Sequence, residues 1–186
     1  MADVARNIPR MTAVEYLELE RQASWKHEFV DGIVYAMAGA SRTHNLISGD
    51  AFGALLASVA PPCRVFGSDM KVHIKSGADE RYYYPDVHVS CSDLDNNEYF
   101  SSHPVLIIEV LSPNTAETDR RDKFDDYRQL PSLQEYVLLA QDERRAEIFR
   151  RRSAWQHETF TEHDEVTLES IGVALPVSRV YSRVAL

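Results

Sequence analysis

The sequence predicts an α/β protein, a mixed β-sheet flanked by helices. Three observations carry this reading. Periodicities along the chain run helix, strands, helix, strands, helix, strands. Residues 105–111 are apolar except for Glu109 and close at Ser112-Pro113-Asn114, which reads as a central strand covered on both faces. The 186 residues, 44% hydrophobic and 26% charged, suffice for one good core and are too few for two comfortable ones. With no internal repeat or linker, the expected organisation is an N-terminal arm over residues 1–10 and a single domain over residues 11–186.

The elements follow in order. Thr12 with Glu15 three residues on is a capping box, opening a helix to about Gln22 with Val14 and Leu17 at helical spacing. Residues 25–37 hold two extended runs around Asp31-Gly32, a hairpin turn signal, with Glu28 in the first run. His44 opens a second helix to Val59, stopped by Pro61-Pro62. Residues 64–74 read as one strand whose alternation from Met70 sets Asp69, Lys71 and His73 opposite Met70, Val72 and Ile74, with Asp69 and Lys71 expected on an exposed face before a cleft lining. Residues 82–91 read as the next, with Val87, Val89 and Cys91 on one face and Asp86, His88 and Ser90 on the other. Residues 92–102 read as a polar, mobile connection. After the central strand come a helix over residues 118–130, an apolar strand over 133–139, and antiparallel strands over 144–152 and 155–161. Residues 166–168 and 177–180 give weaker signals.

Composition narrows the function. A net charge of −9 excludes a protein that coats nucleic acid through bulk electrostatics, because that attraction needs Lys and Arg to neutralise phosphates. An enzyme on nucleic acid would need focal positive charge or a bridging metal ion. No apolar run approaches a transmembrane helix, so no membrane partner is expected. The first residues lack a signal-peptide apolar region, and Cys63 and Cys91 suggest no disulfide framework, so a cytoplasmic location is expected. No HExxH, paired CxxC, nucleophile elbow, Walker or dinucleotide glycine pattern occurs.

Glu109 draws the chemistry together. An ionised carboxylate in a buried strand costs several kcal/mol without a partner, or its pKa shifts until it neutralises. Asp86 follows Tyr84-Pro85 early in the preceding strand, and pairing of neighbouring strands would bring the two carboxylates together. Two carboxylates plus waters suit Mg²⁺ or Mn²⁺, which can activate water and stabilise charge on a phosphoryl oxygen. Lys123, four residues before Tyr127, lies near the packed face of its helix and would reach toward them.

Here the sequence resembles the PD-(D/E)xK, or restriction-endonuclease-like, superfamily. More narrowly it is similar to the bacterial Uma-type family, whose members are read as endonucleases. The matching pieces are M-T-A-V-E-Y-L, H-E-F-V-D-G-I-V-Y-A-M, the His44 helix, Y-Y-P-D-V-H-V, and P-V-L-I-I-E-V-L-S-P-N-T followed by D-R-R-D-K-F-D-D-Y. They cover residues 11–139. The D-x-x-x-K-x-x-x-Y helix after E-V-L-S-P is the specific part. The resemblance implies a restriction-endonuclease-like fold and a metal-dependent endonuclease acting on DNA. It implies Asp86 and Glu109 as metal ligands and Glu28 as an assisting acid. Lys123 would replace the superfamily's strand Lys, where this chain has Leu111. His44 matches a family position and otherwise reads as structural. A homodimer would supply two sites for two strands.

Plainer readings stand beside these. A Lys in a charged helix is ordinarily solvated. Tyr82, Tyr83 and Tyr84 read as core and edge packing before base stacking. Arg144, Arg145, Arg150, Arg151 and Arg152 read as a solvated hairpin paired with Asp142, Glu143 and Glu147 before a phosphate contact. The alternative to the enzyme is a catalytically inactive nuclease-fold protein acting as a binding or assembly module. Leu111 and the acidic charge favour that alternative.

Overall fold

The computed structural model describes residues 10–113 and 115–186. Most of the expected arm, residues 1–9, and Asn114 lie outside the described residues. The α/β class holds, with mixed sheets flanked by helices and the strands divided among three sheets.

Helix α1 (Ala13–Gln22) begins at Thr12, and its capping box with Glu15 is formed as expected. Its buried face centres on Tyr16, whereas Val14 is exposed, contrary to the expected stripe. Tyr16 stacks on Phe29 and donates its hydroxyl to the His27 carbonyl (2.6 Å). Strands β1 (His27–Val30) and β2 (Ile33–Ala36) form the hairpin, and Asp31 and Gly32 both take positive φ, as the turn requires. Helix α2 (Arg42–Ser58) starts two residues before His44, because the Ser41 hydroxyl accepts from the His44 N–H and caps it.

Two expected strands are each broken in two. Residues 64–74 give β3 (Arg64–Gly67) and β4 (Lys71–Ser76), separated by a turn. Residues 82–91 give β5 (Asp79–Tyr83) and β6 (Val87–Ser90), separated at Tyr84-Pro85-Asp86. The sheet changes at each break. Strands β4 and β5 belong to a five-stranded sheet, ordered β2-β1-β5-β4-β7, in which β7 is Phe100–Ser101. The six-stranded sheet runs β11-β10-β9-β8-β6-β3. It contains β8 (Pro104–Val110), β9 (Glu135–Leu139), β10 (Arg145–Arg150) and β11 (His157–Thr161). Strands β8 and β9 are parallel, the other pairs in this sheet antiparallel.

Each face of the six-stranded sheet is covered. Leu106, Ile108 and Val110 pack with Ile47 and Leu55 of α2 and with the C-terminal segments. Those segments are β12 (Glu165–Leu168), β13 (Val173–Pro176) and a one-turn helix, Val177–Val180, where the sequence suggested only extended structure. Ile107 and Leu111 pack on the opposite face with Tyr127 and Leu130, and with Val72, Ile74 and Tyr83 of the five-stranded sheet. Tyr127 belongs to helix α3. It runs as Ala116–Thr118, a π turn Asp119–Lys123, and Phe124–Tyr127, shorter at its C-terminal end than expected.

Three further expectations change. Cys63 and Cys91 form a disulfide. Pairing of Arg64 with Ser90 brings residues 63 and 91 opposite each other at the ladder's end, which sequence spacing does not reveal. The cysteines therefore no longer argue for a reducing compartment. Lys71 is buried rather than exposed, donating to the Tyr84 hydroxyl (3.1 Å). The 92–102 connection is pinned by buried Asp95, which accepts from the Ser101 hydroxyl and the Ser102 N–H. Among the described residues no helix is long and apolar enough to cross a membrane.

His88, in the centre of β6, is fully buried against Phe66, and neither ring nitrogen has a partner. Burial pushes its pKa down to about 4, and the nearby Asp95 carboxylate only partly offsets this. The unfolded chain takes up the proton near 6.5 and the folded chain near 4. Stability is therefore lost as pH falls through that window. Between pH 7 and pH 5 this one group costs about 2 kcal/mol. Urea unfolding of a His88→Phe variant at both pH values should show a drop smaller than the wild type's by about that amount. An equal drop in the two proteins would refute the assignment.

Candidate active site

Three elements and a strand entry converge where β8 ends. Antiparallel pairing of Val87 with Ile108, carried one residue further, sets Asp86 beside Glu109. The Asp86 N–H donates to Glu109 Oε2 (3.3 Å), and the Val110 N–H donates to Asp86 Oδ2 (2.7 Å). Glu109 lies on the face of β8 that meets α3, where only 4% of it is exposed. The Tyr127 hydroxyl donates to Glu109 Oε1 (3.1 Å) and fixes the carboxylate's orientation.

Helix α3 delivers the cation. Its π turn coincides with the burial of Asp119 and Lys123, while Arg121 and Asp122 stay outside. Lys123 Nζ lies 2.9 Å from Glu28 Oε1, 3.5 Å from Glu109 Oε1 and 3.6 Å from Asp119 Oδ1. It also sits over the Tyr83 ring, 5.4 Å from its centroid. Leu111, where the superfamily pattern has its Lys, is packed into the core with Tyr127 and Leu130. The ammonium thus arrives from the helix rather than from the strand. Glu28 reaches the cluster from β1, and its carboxylate also accepts from the Tyr84 N–H (3.3 Å).

All four residues singled out by sequence therefore meet in one place. Asp119 and Tyr127 join them. Their spacing with Lys123 lies within the D-x-x-x-K-x-x-x-Y pattern, which sets all three on one helix face, and that spacing was the available signal. His44 is also at the site. Its Nε2 lies 3.3 Å from Asp86 Oδ2.

The electrostatics follow from burial and crowding. Burial lifts the Glu109 carboxyl well above the usual range. Lys123 opposes this, and Asp119, Asp86 and Glu28 reinforce it. Asp119 is raised for the same first reason. For Lys123, burial favours the neutral amine, but Glu109, Glu28 and Asp119 outweigh it and hold the ammonium protonated. His44 is raised as well. Burial lowers it, and the Asp86 carboxylate and Val110 carbonyl more than compensate. A Lys held so firmly charged cannot serve as a base near neutrality. It can offset negative charge.

On the α2 side, Asp86 also lines an open cleft of about 500 Å³, bounded by Asn45, Ser48, Gly49 and Phe52 of α2 and by the β3–β4 turn. The remaining candidates lie elsewhere. Tyr82, Tyr83 and Tyr84 are all buried, as core packing predicts. Arg144, Arg145, Arg150 and Arg152 pair with Glu162, Glu143, Glu135 and Glu169 respectively. The basic hairpin is thus neutralised by carboxylates, several of them outside the set expected.

Mixed sheets with α2 and α3 on opposite faces fit the restriction-endonuclease-like class expected from the sequence. Residues 13–178 match the family described as "Uma2: Putative restriction endonuclease", and the chain belongs to that family. An uncharacterized protein of Synechocystis sp. (strain ATCC 27184 / PCC 6803 / Kazusa) is 32% identical over 182 residues, 95% of this chain and 94% of its own. A second from the same organism is 39% identical over 135 residues, 70% and 75% of the two chains. The fold is similar to the crystal structure of a "putative nuclease belonging to DUF820" from Anabaena variabilis ATCC 29413. The TM-score is 0.73 at 20% identity, covering 92% of this chain and 98% of that one.

Replacing Lys123 would leave Glu28, Glu109 and Asp119 crowded without their cation. Lys123→Met should destabilise the protein by about 3 kcal/mol at pH 8. The loss should shrink toward pH 5, as the raised carboxyls protonate and no longer need a counter-charge. Urea unfolding at both pH values checks this; a loss that is larger at pH 5 would contradict it.

Proposed function

We propose that this protein is a metal-dependent endonuclease that hydrolyses phosphodiester bonds in DNA. The observation that carries the reading is the contact of Asp86 with Glu109 at the end of β8, beside an ammonium held by Glu28 and Asp119. The donor set fits a hard divalent cation. Glu28, Glu109 and Asp119 surround one Lys and Asp86 adjoins Glu109, and this excess of negative charge adds to burial in lifting Glu109. Among the described residues no group of three or more His, Cys, Asp or Glu side chains forms a ready cage. Two carboxylates with the rest of the shell left to water suit Mg²⁺ or Mn²⁺.

Asp86 and Glu109 would hold the ion, which when bound would supply Lewis-acid activation of water and of a phosphoryl oxygen. The protein's own groups would do the rest. Lys123, fixed as an ammonium, offsets charge growing on the non-bridging phosphoryl oxygens. Glu28 and Asp119 hold that ammonium in place. Tyr127 and the Asp86 N–H keep the Glu109 carboxylate aimed at the strand end, and His44 steadies Asp86.

Cleavage of supercoiled and single-stranded DNA in Mg²⁺ and Mn²⁺ tests the reading. The wild type should cut in either metal. Glu109→Ala, checked for folding, should lose cleavage and metal binding by calorimetry. Lys123→Ala should keep metal binding and lose on the order of 100-fold in rate. Absence of both cleavage and metal binding in the wild type would sink the enzyme and leave the binding module.

A further inference from the structure

The cleft beside Asp86 has a chemistry of its own. Its walls are Asn45, Ser48, Gly49 and Phe52 on α2, facing Gly67, Ser68, Asp69 and Met70 at the β3–β4 turn. Among the described residues no Lys or Arg lines it, and Asp69 and Asp86 do. Lys26, beside the turn, is tied to the Ser68 carbonyl (2.8 Å) and to Asp69 (3.1 Å). A phosphate in this cleft would face two carboxylates and no cation in its walls. An uncharged planar group would meet a part-buried aromatic ring, an amide, hydroxyls and bare backbone. At about 500 Å³ the cleft falls within the range of small-molecule sites, roughly 300–1,000 Å³.

We propose that this cleft is a nucleobase subsite that takes one unpaired base adjoining the scissile phosphate. The inference rests on the nuclease reading for the position of that phosphate, since Asp86 belongs to both places. Phe52 supplies an aromatic wall, as in sites that bind single strands by stacking. Asn45 and Ser48 offer donors and acceptors to the base edge. A base still paired and stacked in a duplex cannot enter a concave cleft, so the substrate presents a single-stranded, frayed or splayed nucleotide at the cut.

Gly49 makes the test clean. A Cβ built there meets nothing within 4 Å, so a side chain at this position starts in open space, and Gly49→Leu adds bulk to the cleft wall. A dinucleotide with one phosphodiester binds in a single register, and Ca²⁺ is used in place of Mg²⁺ to suppress turnover. Binding of d(TpT) and d(ApA), and of the same compounds lacking the 5′ or the 3′ base, is measured by calorimetry with both proteins. In the wild type, removing one particular base should weaken binding about tenfold and removing the other should change it little. Gly49→Leu, with a thermal midpoint no lower than the wild type's, should bind the intact dinucleotides about tenfold more weakly and be insensitive to either deletion. Equal effects of the two deletions, unchanged affinity in Gly49→Leu, or no dinucleotide binding by the wild type would each overturn the inference. Cleavage of DNA without the one-sided base effect would leave the nuclease and remove the subsite. The one-sided effect without metal-dependent cleavage would do the reverse.

Discussion

The Lys123 ammonium is the point on which the rest of the structure closes. Its three carboxylate partners come from β1, β8 and α3, so one cation joins the two larger sheets and the helix packed on them. Two of the three carboxylates closest to it, Glu109 and Asp119, would not tolerate their surroundings alone. Glu109 and Asp119 are nearly fully buried, and unpaired charge there costs several kcal/mol. The arrangement is stable only as a set. Lys123 makes the acids affordable, and the acids keep the amine charged. The set nonetheless carries a surplus of negative charge, since Asp86 adds a fourth carboxylate against it.

Two of the places where the chain leaves one sheet for the other bear on the same spot. The first crossing, after Gly67, puts Ser68, Asp69 and Met70 along the cleft. The second crossing is Tyr84-Pro85-Asp86. Proline has no N–H to give a ladder and favours a break, and the freed Tyr84 N–H turns to Glu28. Asp86 then stands at the very start of β6, where its carboxylate turns over the sheet end to Val110 and His44. Residues inside continuous strands would have had their backbone groups committed to neighbours. The breaks release groups at the one location where polar contacts converge.

How much of this could be read in the sequence varies residue by residue. Glu109 stood out because a carboxylate inside an apolar strand violates burial rules, and it lies where that anomaly indicated. Asp86 followed from strand pairing across a gap of 23 residues. Lys123 looked like any solvated helix residue, and only the family pattern distinguished it. Asp119 and Tyr127 carried the right spacing, but helical spacing alone marks a face and not a partner. The strand breaks were hidden because alternation with period two reports which face a residue takes, never which sheet. The Cys63–Cys91 bridge was hidden for a related reason, since it depends on the register of β3 against β6.

The distribution of positive charge finally bears on how an acidic protein would meet a polyanion. Arginines crowd the β10–β11 region, yet Arg145 and Arg150 are each engaged by more than one carboxylate and Arg152 is held by Glu169. Arg151 spends its guanidinium on the carbonyls of Leu130 and Leu133 and on the Trp155 ring. These side chains fasten the hairpin to the helix and loops beneath it. With a net charge of −9 they leave little to draw phosphates from a distance. On the proposed function, affinity for a nucleic acid would come from short-range contacts: a dication on Asp86 and Glu109, the Lys123 ammonium, and a surface able to take a base. The cleft along α2 is the surface proposed for that base, and its place beside Asp86 would join the last of these contacts to the first.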